Sequence, residues 1–126
     1  MIDFGKVIYT ILSGSSELNN SVENRIYPLV LPENTVLPAI MYERNGSIDY
    51  DAQGAYLYNY SITINVLSNS YSESIKLSNI INNIMSNYSE NVNNYIVCSS
   101  HLSNVNELFE GDVIVQQLTY SIKAMQ

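Results

Sequence analysis

The residues of this chain that could act as a nucleophile and its base are Cys98 and His101, its single cysteine and single histidine. A catalytic dyad needs both side chains within hydrogen-bond reach. The sequence Tyr95–Leu102 predicts a strand, and residues three apart in a strand point to opposite faces of the sheet. We therefore expect a buried structural cysteine and a surface histidine rather than a catalytic pair.

Acidic residues gather in two segments that have the composition of polar loops. They are Asp49 and Asp51 in the first predicted loop, Arg44–Gly54, and Glu107, Glu110 and Asp112 in the second, Ser103–Asp112. Acid–base catalysis needs two carboxylates held in different environments within a cleft, and neither segment matches a calcium-binding loop. Glycine-rich phosphate loops and His/Cys metal spacings do not occur. We predict no enzyme, no metal site and no cofactor.

A strand pattern followed at once by a helix pattern organises the chain between these two loops. Alternate residues from Tyr56 to Val66 are aromatic or β-branched, which predicts a half-buried strand in an antiparallel sheet. Ser70 and Glu73 then have the spacing of a capping box. Apolar residues follow at steps of three and four, which predicts an amphipathic helix packed on that strand. These residues are Leu77, Ile80, Ile81, Ile84, Met85 and Tyr88.

Similar patterns divide the rest of the chain. A first helix is predicted after Asp3 as its N-cap and ends near Gly14, and Leu18 and Val22 indicate a short second helical piece. Further strands are predicted at Ala39–Glu43, Tyr95–Leu102 and Val113–Met125. The predicted fold is therefore α+β, with an antiparallel sheet of about four strands and two main helices on one face, in the order α-β-β-α-β-β. Its length indicates one domain over residues 1–126.

Charge is the most informative feature of the composition. The formal net charge is −7, from 12 acidic and 5 scattered basic residues. Tight binding of DNA or RNA needs clustered cations, so it is disfavoured. The charged fraction, 13%, is about half of the usual quarter. Such a surface is typical of protein interfaces, although a nucleotide bias towards Asn, Ile and Tyr codons would have the same effect.

No apolar run reaches membrane-spanning length, and the N-terminus lacks the basic segment of a secretory signal. We therefore expect a chain that is made in the cytosol and stays unprocessed, without a membrane partner.

Eleven tyrosines and no tryptophan allow two interpretations. Tyr56, Tyr58 and Tyr60 on one strand face could form a stacking platform for a peptide or glycan. Alternatively, they pack under the helices and place their hydroxyl groups at the margin of the sheet.

The layout of the chain resembles a known family. The residues that carry the likeness are Arg25-Ile26-Tyr27-Pro28, then Leu37-Pro38-Ala39-Ile40-Met41-Tyr42, then the strand Tyr60–Val66 with its helix, and the closing Gln117–Ile122. Together they are similar to the tail-completion proteins of tailed bacteriophages, which are also called tail terminators or head–tail joining proteins. The likeness extends from Val22 to the end of the chain.

This resemblance implies a non-enzymatic virion protein, made in the cytoplasm of a bacterial host. It implies a homo-oligomeric ring, with a hexamer favoured, that ends the tail tube and joins it to the head connector or portal-side protein. DNA would pass through the lumen without specific binding. In a short-tailed phage the same fold would instead serve as a connector or tail-hub ring.

Two groups of residues are the candidates for contacts of such a ring. The candidate lumen-facing or docking residues are Asp49, Asp51, Glu107, Glu110 and Asp112, and plain solvent-exposed loops are the alternative for both segments. The candidate subunit-interface residues are Arg44, Tyr56, Tyr58 and Phe109. The competing function is a small monomeric, tyrosine-rich module that binds a peptide or a glycan.

Overall fold

The computed structural model describes residues 2–45 and 57–125. Within them a 3₁₀ turn, Ile2–Phe4, precedes three α-helices and six strands. The helices are α1 (Gly5–Ser13), α2 (Ser16–Val22) and α3 (Tyr71–Met85). The strands are β1 (Ile26–Pro28), β2 (Ala39–Asn45), β3 (Leu57–Ser68), β4 (Asn91–Val92), β5 (Tyr95–Glu110) and β6 (Val113–Met125).

The predicted fold class is wrong. The described chain is mostly β, with a six-stranded mixed sheet curled into a half-barrel and three helices. The strand order is β1-β2-β3-β6-β5-β4, and β1 pairs parallel with β2. The two strands that were not predicted are β1 and β4, and the short second helical piece is a third helix, α2. The predicted acidic loop from Ser103 forms the second half of β5.

The centre of the sheet is the antiparallel pair β3 and β6, in register from Leu57 opposite Met125 to Ser68 opposite Ile114. The predicted alternation of β3 is confirmed, because Tyr58, Tyr60 and every second residue up to Val66 are buried. On the opposite face, Asn65 is buried as well and donates its side-chain amide to the carbonyl of Met41 at 3.2 Å. Strand β3 therefore has buried side chains on both faces, whereas a half-buried strand would have them on only one.

The curl of the sheet brings both of its margins to helix α1. This helix packs against β1 at one margin and against β4 at the other. Asn93, in the turn between β4 and β5, donates its amide to the hydroxyl of Thr10 on α1 at 2.8 Å. The sheet therefore wraps around the helical layer.

An aromatic cluster connects the N-terminal turn to the sheet. The ring of Phe4 stacks on Tyr60 with centroids 3.9 Å apart and meets Tyr95 edge to face at 5.2 Å. The Tyr95 hydroxyl donates to the Asp3 carboxylate at 2.6 Å, which lowers the pKa of Asp3. Burial, followed by this hydrogen bond, raises the pKa of Tyr95. The predicted N-cap role of Asp3 is wrong, since α1 starts after Phe4 without a side-chain cap.

Helix α3 begins at the predicted capping box, which also includes Ser68 as a third residue. The Ser70 hydroxyl accepts a hydrogen bond from the backbone N–H of Glu73 at 3.3 Å. Glu73 reaches back indirectly: its carboxylate accepts from the Ser68 hydroxyl, which in turn accepts from the backbone N–H of Ser70. The cap thus ties the end of β3 to the start of α3, and it fixes the face of α3 that packs on the sheet.

Replacing Phe4 with alanine tests the role of the aromatic cluster. Phe4 is fully buried, so Phe4→Ala should lower the free energy of unfolding by about 3–5 kcal/mol. Urea denaturation of dilute protein measures the change. Ile2→Ala is the control, because Ile2 is 75% exposed and its truncation should cost less than about 1 kcal/mol. Equal losses in both variants would show that the cluster does not support the fold.

Candidate functional site

The second half of β5, the turn after it and the start of β6 form one end of the sheet, which we call the arm and define as residues 103–117. Here β5 is the edge strand, and β6 from Ile114 onward lies between β5 and β3. Every residue from Ser103 to Asp112 is exposed. The two strands are joined through Gly111 and Asp112, with Glu110 opposite Val113. Gly111 has a φ of +60°, the conformation that the first loop residue of a tight type II′ hairpin requires. The β5 side of the arm is thus an ordered strand with exposed side chains, whereas the β6 side is packed within the sheet, with Gln116 buried.

The outer edge of β5 lacks a neighbouring strand over most of its length. Strand β4 covers only Tyr95 and Ile96, and within the described chain no strand pairs with the edge beyond them. An uncovered edge presents unpaired backbone N–H and C=O groups that another chain can pair with. The arm therefore offers backbone as well as side chains to a partner.

Large apolar side chains are exposed along the arm and the neighbouring start of α3. We call this group the arm patch; it consists of Tyr71, Ile75, Leu102, Val105, Leu108 and Phe109. Phe109 is 70% exposed. The arm also carries Glu107 and, at its tip, Glu110 and Asp112, without any basic residue between Ser103 and Asp112. Because successive strand residues point to opposite faces, Leu108 and Phe109 expose apolar surface on the two faces of the arm.

A hydrogen-bond network holds the base of the arm against α3. The Glu107 carboxylate accepts from the Tyr71 hydroxyl and, at 2.8 Å, from the side-chain amide of Gln116. The same amide donates to the hydroxyl of the buried Ser74 at 3.3 Å. The bonds from Tyr71 and then Gln116 lower the pKa of Glu107, and the same Tyr71 hydrogen bond, followed by the negative charge of Glu107, raises the pKa of Tyr71. Ionised Glu107 is thus a fastening point of the arm.

A second apolar surface lies at the other margin of the sheet. Here a cleft of about 190 Å³ is lined mainly by Ile2, Gly5, Pro28, Leu29, Tyr42, Glu43, Arg44 and Ile62. The guanidinium of Arg44 donates to the carbonyl of Ile2 at 3.0 Å, which closes one side of the cleft. Ile2 and Leu29 at the cleft are exposed, and so are Val30 and Val36 in the segment that follows Leu29. We call the cleft and these side chains the cleft patch.

The structure brings some of the candidate residues together and separates others. Glu107, Glu110, Asp112 and Phe109 share the arm, whereas Arg44 lines the cleft at the opposite margin. Tyr58 is only 6% exposed and is packed in the core of the subunit. Asp49, Asp51 and Tyr56 lie outside the described residues.

Sequence reasoning missed the cleft patch. Its one local signal was the run Leu29-Val30-Leu31 between two prolines. The prolines keep this apolar run out of a helix, and an apolar run outside a helix or central strand often forms an exposed binding surface.

The remaining candidates for catalysis are Cys98 and His101. Cys98 is exposed, not buried as predicted, because the alternation along β5 buries Tyr95 and Val97 and places Cys98 on the outward face with Ile96. His101 is exposed too. Among residues 2–45 and 57–125, no three His, Cys, Asp or Glu side chains are grouped so as to hold a metal ion. Over the same residues, none of the helices has the length and apolarity to cross a membrane.

Comparison with known proteins identifies the fold. The chain superposes with a TM-score of 0.79 on a chain of the "virion of native gene transfer agent (GTA) particle", at 11% sequence identity over 96% of this chain and 93% of that one. A second solved structure, whose name describes no function, matches with a TM-score of 0.61 at 13% identity over 100% and 96% of the two chains. Neither family models nor curated protein sequences match the chain. The chain thus has, over its whole length, a fold that is found in a virion particle.

Removing the Glu107 carboxylate tests the fastening of the arm. Glu107→Ala should increase amide hydrogen exchange severalfold in residues 105–112 and leave the rates in β3 unchanged. Glu110→Ala is the matched control, because Glu110 is exposed at the tip and lies outside the network. Equal exchange in both variants and in the wild type would contradict the fastening role.

The same contact should depend on pH. Because the pKa of Glu107 is lowered in the folded chain, its stabilising effect is complete above the ordinary carboxyl pKa and is lost as the pH falls through the lowered value. Exchange rates of the wild-type arm, corrected for intrinsic pH dependence, should therefore approach those of Glu107→Ala in acid. A constant gap between the two proteins across this range would contradict the prediction.

Proposed function

We propose that this chain is a structural component of a phage-like virion, in which copies of it assemble into a ring. The superposition on a virion chain over nearly all of both chains carries this proposal. In the proposed particle the ring lies at the end of the tail or at the head–tail junction, with six subunits as the favoured number. The resemblance of the sequence to tail-completion proteins supports that position.

The distribution of exposed apolar surface supports assembly. Ten of the thirteen large apolar side chains that are exposed in the described chain belong to the arm patch or the cleft patch. The patches lie towards opposite margins of the sheet and differ in shape and charge. Two different surfaces on one subunit are what a head-to-tail contact needs, and such contacts close into rings when the rotation per subunit allows it.

The charge of the chain supports a lumen through which DNA slides. A net charge of −7 with five scattered basic residues repels phosphate groups and offers no site that would retain them. The proposed partners are therefore proteins: copies of the chain, a head connector or portal-side protein, and a tail-tube protein. The acidic tip of the arm is the candidate element for docking to one of these two neighbours.

The competing function, a monomeric module that binds peptides or glycans, loses its main support. Its stacking platform required Tyr56, Tyr58 and Tyr60 on an accessible face. Tyr58 and Tyr60 are buried, and Tyr60 is stacked against Phe4. Of the described residues of this platform, neither is available to a ligand in the folded subunit.

Light scattering coupled to size-exclusion chromatography tests the assembly. The purified chain should form an oligomer well above its monomer mass of 14.2 kDa, with a share that increases with protein concentration. Electron micrographs of that fraction should show closed rings with a central opening. A monodisperse monomer at all concentrations, unchanged up to millimolar protein, would contradict self-assembly and restore the monomeric module.

A DNA mobility assay tests the non-binding lumen. At about 50 mM salt, where phosphate contacts are strongest, the chain should not retard duplex DNA at micromolar protein. A basic protein of similar size serves as the positive control. Retardation that disappears as salt is raised would reveal a phosphate-binding surface and contradict this part of the proposal.

A further inference from the structure

We infer that the arm of one copy packs into the cleft of the next copy, with Phe109 as the anchor, an inference that rests on the proposed assembly of copies. The arm presents an apolar ring that its own subunit does not cover, since Phe109 is 70% exposed. The cleft presents an apolar hollow that is open to solvent. The exposed ring of Phe109 could therefore fill the hollow of the cleft, and both apolar surfaces would be removed from water.

The size of the cleft fits the anchor. Its volume is about 190 Å³, and an apolar cavity of about 150 Å³ accepts a benzene ring. Tyr42, Ile62 and Pro28 provide its apolar walls. Burying an aromatic anchor in a pocket near the centre of a contact is the arrangement that concentrates binding energy at protein interfaces.

Charge separates this arrangement from a two-fold contact between two arms. Residues 103–112 carry Glu107, Glu110 and Asp112 and no basic residue, so two arms packed together would bring six carboxylates close to one another. Like charges placed opposite each other across an interface are costly. The cleft is electrically balanced instead, because Arg44 and Glu43 both line it. The cleft of a second copy is therefore the favoured occupant for the arm.

The topology gives the contact its direction. The arm extends from β5, next to one margin of the sheet, whereas the cleft is built on β1 and β2 at the other margin. A contact between them leaves one cleft and one arm unused in every pair, so further copies add in the same direction. This is the heterologous contact that a ring requires.

Paired substitutions test the contact. Phe109→Ala on the arm and Leu29→Asn in the cleft should each raise the protein concentration at half-assembly at least about tenfold. Asparagine suits this site, because Leu29 has a φ of +66° that asparagine tolerates well. Ile96→Thr is the control, since Ile96 is exposed outside both patches. Assembly by both patch variants at the wild-type concentration would overturn the inference.

Cross-linking between marked copies tests the direction of the contact. In a Cys98→Ser background, one pool of protein carries Glu110→Cys beside the anchor and the other carries Val30→Cys beside the cleft. After mixing, a short bis-maleimide should join the two pools at these positions, while each pool alone stays uncross-linked. Replacing Val30→Cys by Ile96→Cys in the second pool should abolish the product.

The outcomes separate this inference from the proposed function. Cross-linking within the Glu110→Cys pool alone would show an arm-to-arm contact and overturn the inference while leaving self-assembly intact. Rings without a cross-link between Glu110→Cys and Val30→Cys would also overturn it. The arm would then be expected to contact another protein of the particle. A chain that stays monomeric and forms no cross-link would overturn the inference and the proposed self-assembly together.

Discussion

The main constraint on this structure is a mismatch in length between its longest hairpin and its helical layer. Strand β5 has 16 residues and is about 50 Å long at the usual rise of a strand, whereas α3 has 15 residues and is about 22 Å long. The helices can cover only part of such a hairpin, and beside the arm Val66 of β3 and Gln116 of β6 are still buried. The outer half of β5 lies at the edge of the sheet there, so its side chains stay exposed unless another molecule covers them.

The local patterns of the sequence predicted the centre of the fold correctly, because they depend on neighbouring residues. The alternation in β3 and the apolar steps from Leu77 to Met85 identify their own buried faces. The arm was missed because Ser103–Glu110 is a strand through its pairing with β6 and buries almost no side chains of its own. The parallel partner β1 was missed for the same reason, since three residues ending in a proline carry no pattern without β2 beside them.

Composition predicted part of the candidate site. The acidic residues of the arm stand out in the sequence, and Phe109 among them is conspicuous. The cleft has no comparable signal, because Ile2, Leu29 and Tyr42 come from three separate segments that meet only in the folded chain. Tyr58 was predicted at a subunit interface but lies in the core of its own subunit. In sequence, a strand tyrosine that faces a partner cannot be told from one that faces the core, because burial depends on the whole fold.

The proposed function asks the chain to bind its own copies but not the DNA that passes through the ring, which requires apolar contacts in place of clustered charge. The low charge of this chain and its two apolar patches fit that requirement. A reconstruction of the assembled chain by electron cryo-microscopy, at a resolution that shows side chains, tests this account most directly. It should show a closed ring in which Phe109 of each subunit lies in the cleft of its neighbour. Arms that project freely into solvent, or that meet in pairs across a two-fold axis, would contradict it.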